Sequence, residues 1–324
     1  MGIITKIYKR NFLRRFDKDP AIPYYDAGDF PGLDRRDGSF ENKAGVTVKY
    51  FVYSREGYDP ERLILFCPGI GPGHTAYLSE IETLCRAGLK VLTLDYTGCG
   101  ESGGEKLPSV NAPARDASEL LDLLRPKEEI IPVGHSLGGY TALTLAHVRP
   151  EVGRAVVLSG FIGISDEMMG YLKLRFLSDM VSEYEKKLDP ELGSADNREY
   201  LSKTSDRILW IHSKDDPTVN YRYNAGQAEK LNNPNVRVIT VRNKKHNPQY
   251  TEEAVATMNA WLGEYARLTA KKKLSSPEDR KAFFESRPIS RMTEQDPAVY
   301  DLILGFIREP KEGTEAGRFP EDEK

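Results

Sequence analysis

The chain has 324 residues, enough for one large domain or two small ones with a full core. Its 46 Lys and Arg nearly balance 49 Asp and Glu, for a net charge of −3 and a pI near 6.1, which argues against a protein built to coat nucleic acid or an anionic membrane. With 39% hydrophobic and 29% charged residues, a mean hydropathy of −0.52 and no run of 18 apolar residues, the composition is that of a soluble globular chain and not of a membrane-spanning one.

The three cysteines, Cys67, Cys85 and Cys99, have no CxxC spacing, and their odd number fits neither a disulfide framework nor a zinc site. A reducing cytosol is the expected compartment. The N-terminus lacks the apolar region and small-residue cleavage site of a secretory signal, and Lys6 stands where a myristoylation motif needs Ser or Thr.

Residues 1 to 18 carry six basic side chains and one acidic one, with Ile3, Ile4, Ile7, Tyr8 and Phe12 in roughly helical register. This arm is read as packed on the domain with a solvated basic face, in preference to an interfacial membrane anchor. A Pro-, Gly- and Asp-rich lead-in follows to residue 34. Gly45 to Ser54 then reads as a strand paired with an earlier one near Ser39 to Asn42.

From residue 63, short β-branched runs alternate with amphipathic helical segments. Ile64 to Cys67, Val91 to Asp95, Ile130 to Val133, Ala155 to Leu158, Ile208 to His212 and Val236 to Val241 are the expected buried strands. Between them, Ala117, Leu120, Leu121 and Leu124 form one helical stripe, with Asn111 as its expected N-cap and Pro113 in its first turn. The alternation predicts a mostly parallel twisted sheet with helices on both faces, whose ligand site lies at the carboxyl ends of the strands.

Residues 161 to 206 are too long for a simple crossover and rich in apolar side chains, so they are expected to form a lid-like insertion over the site. After a helix near 251 to 267, Asp296-Pro297 reads as an N-cap and first-turn proline. The final helix should dock on the main domain through Tyr300, Ile303, Leu304 and Ile307. Residues 311 to 324 have little to bury and are expected to be disordered.

The strongest chemical signal is Gly134-His-Ser-Leu-Gly138, preceded by an expected strand and followed by an expected helix. A tight strand-to-helix turn strains Ser136, leaves its hydroxyl exposed, and tolerates no bulk two residues before or after it, so Gly134 and Gly138 serve as elbow glycines. A serine hydroxyl needs a base, and the base needs a third group to orient it. Of the histidines after Ser136, His147 falls inside the following helix and His212 ends a strand run. His246 lies in the loop after the last run, where a general base belongs. Asp216 is the expected acid in preference to Asp215, because its spacing to Val219 mirrors a recurring Gly-x-x-Asp-x-x-Val turn, although Ser213 replaces the usual Gly.

The expected oxyanion donors are the N–H groups of Leu137 and Ile70, the latter in the loop Cys67 to His74, where Pro68 and Pro72 have no N–H to give. His74 in that loop reads equally as a site-lining residue or a helix cap. Cys99 as nucleophile lacks both the elbow and a dedicated base.

These residues resemble the α/β-hydrolase superfamily, and within it the lysophospholipase, monoglyceride lipase and serine aminopeptidase-like branch. Gly134 to Gly139 and the segment Asp95-Tyr-Thr-Gly-Cys-Gly-Glu-Ser102 carry the likeness, which spans about residues 35 to 268. The arm and lead-in at 1 to 34 and the C-terminal helical extension at 269 to 310 fall outside it. The resemblance implies a serine hydrolase of carboxylic esters with a hydrophobic acyl group, working through an acyl-enzyme on a small-molecule ester, with no metal, no cofactor and no nucleic-acid partner. A peptidase or amidase on the same residues is the alternative, as is a non-catalytic binding protein of the same fold. No anchor for a substrate amine is readable.

Overall fold

The computed structural model of the chain describes residues 2–71 and 73–310. The expected tail at 311 to 324 lies outside the described residues.

Eight strands form one sheet: β1 (Asp34–Glu41), β2 (Thr47–Ser54), β3 (Arg62–Cys67), β4 (Lys90–Asp95), β5 (Glu129–His135), β6 (Arg154–Leu158), β7 (Arg207–Ser213) and β8 (Val236–Val241). Their spatial order is β1-β2-β4-β3-β5-β6-β7-β8. β1 and β2 pair antiparallel with each other and β2 antiparallel with β4, while β3 to β8 run parallel. This is the mostly parallel sheet that the alternation predicts, in the α/β-hydrolase arrangement that the resemblance implies. β1 begins at Asp34, earlier than the expected Ser39, because its polar residues pair along the full length of β2 and give no apolar alternation to read.

The continuous apolar runs of the inner strands follow from burial on both sides. In β3, Leu63, Leu65 and Cys67 face one core layer and Ile64 and Phe66 the other, and β6 and β7 divide in the same way. The first layer is covered by helices Ala112–Leu124 and Leu137–Val148, and the second by Leu78–Arg86 and the last helix, Pro297–Arg308. Asp296 caps that last helix, accepting from the N–H groups of Ala298 and Val299. At its other end, buried Arg154 donates to the carbonyls of Phe306, Ile307 and Glu309, which places a cation at the helix C-terminus. Tyr300, Ile303 and Ile307 are buried as expected, and Leu304 only partly.

Asn111 occupies the N-cap position of helix Ala112–Leu124 but does not cap it with its side chain. Its Oδ1 instead accepts from Tyr140 Oη at 2.8 Å, because Tyr140 is buried beside it and its hydroxyl needs an acceptor. Among the described residues, no helix is long and apolar enough to cross a membrane.

Glu80 is buried beneath the loop that follows β8. Its Oε1 accepts from Tyr250 Oη at 2.7 Å and Gln249 Nε2 at 3.2 Å, while Oε2 has no partner among the described residues. Burial raises its pKa to about 7 despite those donors. The native state therefore holds a proton that the unfolded chain releases near pH 4.5, and stability falls as pH rises from there to 7. Glu80→Gln keeps the acceptor oxygen and removes the titration. Its melting temperature relative to wild type should rise by several degrees at pH 8 and change little at pH 4, measured by calorimetry at both values.

Candidate active site

Ser136 sits between β5 and helix Leu137–Val148 with φ 58° and ψ −121°, a backbone conformation that a side-chain-bearing residue adopts only when its surroundings force it. The forcing contacts are backbone. A Cβ on Gly134 would lie 2.0 Å from the carbonyl oxygen of Gly138, and one on Gly138 would lie 1.8 Å from that of Cys67. Ser136 N–H donates to Leu158 O at 2.9 Å, which fixes the turn to β6.

Asp216 and His246 come together from the loops after β7 and β8. His246 Nδ1 and Asp216 Oδ2 are 2.8 Å apart. The other carboxylate oxygen, Oδ1, accepts from the N–H groups of Thr218 and Val219 at 2.8 and 3.0 Å, so the Asp-x-x-Val spacing is that of an Asx turn that aims Oδ2 at the histidine. Asp215 turns away, to Ser213 Oγ at 2.5 Å and Lys245 Nζ at 3.0 Å.

His212 plays a part that sequence reasoning did not assign. Trp210 Nε1–H donates to its Nδ1 at 3.3 Å, so the proton rides on Nε2, which donates to Val219 O at 2.9 Å and lies 3.3 Å from Asp216 Oδ2. Burial alone would raise the pKa of Asp216, but hydrogen bonds from His212 and His246 outweigh it and hold the carboxyl well below the usual carboxylate range.

His135 was also missed, although it lies inside the elbow motif. Its Nε2–H donates to the carbonyl oxygen of His246 at 2.6 Å, its Nδ1 accepts from Tyr77 Oη at 3.0 Å, and the rings of His135 and His246 are 4.6 Å apart. Burial first, and then the charge of His246, pull the His135 pKa down to about 3, so the ring stays neutral and keeps this orientation. Through it, the residue preceding Ser136 holds the backbone of His246 over the elbow. No hydrogen bond within 3.5 Å joins Ser136 Oγ to His246 among the described residues.

The sequence profile of the serine aminopeptidase, S33 family matches residues 58–288. The chain belongs to that family. As such it is a member of the α/β-hydrolase superfamily, with lipase-like relatives. The monoacylglycerol lipase of Mycolicibacterium smegmatis is 29% identical over 136 residues, 39% of this chain and 46% of that protein. The mitochondrial palmitoyl-protein thioesterase ABHD10 of Rattus norvegicus is 26% identical over 223 residues, 59% and 70%. The match thus spans less than half the length of the first of these relatives. Among solved structures, the Pyrococcus furiosus esterase Pf2001 superimposes with a TM-score of 0.54 at 18% identity, covering 80% of this chain and 98% of its own, and shows the shared fold.

In this S33-family chain, Ser136, Leu137 and Ile70 line one cavity, together with Phe161, Ile164, Met168, Tyr171 and Val219. The insertion at 161–206, built from helices Ile164–Leu172, Arg175–Leu188 and Asn197–Lys203, supplies much of the wall. No described residue accepts a hydrogen bond from the N–H of Ile70 or Leu137. Tyr8 and Phe12, from helix Ile3–Phe12, complete the cavity, so the N-terminal arm packs on the insertion and contributes to the pocket. Tyr8 Oη donates to the buried Glu185 at 2.7 Å, and Glu185 also accepts from Ser109 Oγ and Val110 N.

One wall residue is a carboxyl. Glu167 is 6% exposed, accepts from Asn224 Nδ2 at 3.3 Å, and has its pKa pushed up to about 8 by burial and by the charge of Asp216. Its signal was present in the sequence: Ile164, Glu167, Met168 and Tyr171 fall on one helical face, and Glu167 is the only charge on it.

His74 neither lines this cavity nor caps a helix. It is buried in the core, with Nδ1 2.9 Å from Asp95 Oδ1, Nε2 3.0 Å from Tyr53 Oη, and its ring stacked on Phe51 at 3.7 Å. A polar network around Asp95, which also accepts from Glu101 N–H, draws it inward. His147 bonds Asn197 at 2.9 Å and stacks on Tyr200, away from the cavity. Cys99 is buried, and burial pushes its thiol up to about 12, which removes it as a nucleophile.

The His135 to His246 hydrogen bond predicts a local effect. His135→Leu should weaken amide protection by about tenfold at Asn247 and Tyr250, whose N–H groups close the loop turns, while leaving β5 unchanged; hydrogen exchange measures both.

Proposed function

We propose that this chain is a serine hydrolase that cleaves carboxylic esters bearing an apolar acyl group through an acyl-enzyme. The observation that carries the reading is the 2.8 Å Asp216–His246 pair, tied through the His246 carbonyl to His135, the residue before a serine in strained backbone that lines a largely apolar cavity. In this reading His246 Nε2 takes the Ser136 proton as Oγ attacks the ester carbonyl, and returns it to the departing alcohol. Asp216 keeps the proton of Nδ1 in place and stabilises the imidazolium, its own charge secured by His212 and the Thr218 and Val219 amides. Leu137 and Ile70 N–H groups receive the developing oxyanion. Water, activated by the same histidine, then releases the acyl group. The lipase and thioesterase relatives support an acyl substrate.

Ser136→Ala should lower kcat by ~10⁴ to 10⁶ and Asp216→Asn by ~10⁴ on a p-nitrophenyl acyl ester. A fluorophosphonate probe should label the wild type and not Ser136→Ala. Retention of more than about a tenth of wild-type turnover in Ser136→Ala would sink the assignment.

Glu167 favours a second reading, in which the ionised carboxyl anchors a cationic amine and the same serine cleaves an amide. Comparing p-nitrophenyl esters with aminoacyl-p-nitroanilides separates the two. For apolar esters, Glu167 is neutral below about pH 8 and charged above it, so KM should rise through that pH. Glu167→Gln should abolish the rise, as read from KM measured between pH 7 and 9.

A further inference from the structure

The helix Ile3–Phe12 buries Thr5 and Tyr8 and packs Phe12 against Tyr171, at 5.8 Å between rings. That leaves the opposite side, Ile3, Lys6, Ile7 and Arg10, in solvent, with Ile3 74% exposed. Two isoleucines one turn apart, flanked by two cations one turn apart, are not needed to fold this helix. Beside it, the insertion turns further large apolar side chains outward: Tyr171, Leu174, Phe176 and Met180, with Phe176 63% exposed. These are most of the exposed large apolar residues of the described chain, and they lie on the two elements whose inner faces line the cavity at Ser136.

The charge is as local as the apolar exposure. Residues 1–18 carry six basic side chains against Asp17, which pairs with Arg15 at 2.8 Å, inside a chain whose total is −3, so the remainder is net negative. Lys6, Arg10, Arg14 and Lys18 are exposed. The exposed acids on the neighbouring helix are engaged locally, Asp179 with Ser165 Oγ at 2.5 Å and Glu183 with Lys186 at 2.7 Å.

We propose that the outer side of helix Ile3–Phe12, with the exposed apolar residues of the insertion, is a docking surface for an anionic lipid bilayer, which it seats over the mouth of the cavity beside Ser136. Apolar side chains enter the acyl boundary while the flanking cations meet the headgroups, the arrangement of an in-plane amphipathic helix. The rest of the chain is net negative, so the arm is the part of the molecule drawn to such a surface. A second copy is a poorer occupant, since two-fold pairing would bring the basic arm against its own image. The docking is independent of the hydrolase reading. Only its purpose, delivery of an acyl ester from the bilayer to Ser136, rests on that reading.

The test is cosedimentation of the full chain with vesicles of phosphatidylcholine alone or with added phosphatidylserine, at low and high salt. Binding to the phosphatidylserine vesicles, weakened by salt, is expected. Ile3→Glu/Ile7→Glu and Lys6→Glu/Arg10→Glu should each weaken it by about tenfold or more with an unchanged circular dichroism spectrum. Ser136→Ala should bind as the wild type does, so a chain that docks but turns over no ester would fail the hydrolase reading and keep this one. Absence of binding to either vesicle, equal binding to both, or double variants that bind like wild type would overturn the proposal. So would self-association in solution that the isoleucine variant abolishes, which would assign the face to a second copy.

Discussion

The close approach of Gly138 to the carbonyl of Cys67 governs the rest of the site. At that distance no side chain is possible, and the same contact brings the loop after β3 against the turn that carries Ser136. The loop continues to Ile70, so the packing that strains the serine also brings a second backbone amide to the cavity that Ser136 lines. Gly134 makes the turn close enough for helix Leu137–Val148 to start at the residue after Ser136, so the serine stands at the N-terminal, positive end of that helix.

The histidine side of the site is held by a different means, through backbone and neutral rings. His135 grips the carbonyl of His246, Tyr77 grips His135, and Glu80 gathers Tyr250 and Gln249 from the same loop. The C-terminal extension joins in, since Lys244 is paired with Asp296, the cap of the last helix, and Asp296 N–H bonds Gln249 O. A segment outside the expected catalytic domain thus fastens the loop that bears the expected base. With the His135 ring kept neutral, Asp216 is the charge bonded to His246, and His212 is its second donor.

The cavity has the same composite origin. Its floor belongs to the elbow and the loop after β3, its far wall to the insertion, and one side to the N-terminal helix, whose Tyr8 is anchored on Glu185 of the insertion. Arm and insertion are therefore packed on one another, and both contribute side chains to the cavity that Ser136 lines.

Hydrophobic runs and turn chemistry are local, and they carried the reading of the chain a long way. The six parallel strands, the elbow glycines, the Asp-x-x-Val turn and the capped last helix are all legible because each depends on residues within a few positions of one another. β1 was found only in part because its residues are polar at an edge, where pairing and not burial defines the strand. Asn111 and His74 show the limit from another side: each has a plausible local role that a buried distant partner, Tyr140 or Asp95, took over. His135, His212, Tyr77 and Glu167 acquire meaning only from neighbours as many as 111 residues away, as His135 does from His246. Sequence alone determined where the backbone must bend and which faces must be buried, because those costs are paid locally. Which polar groups meet inside, and what the N-terminal arm covers, was decided by tertiary packing, since a buried donor takes whatever acceptor the fold brings to it.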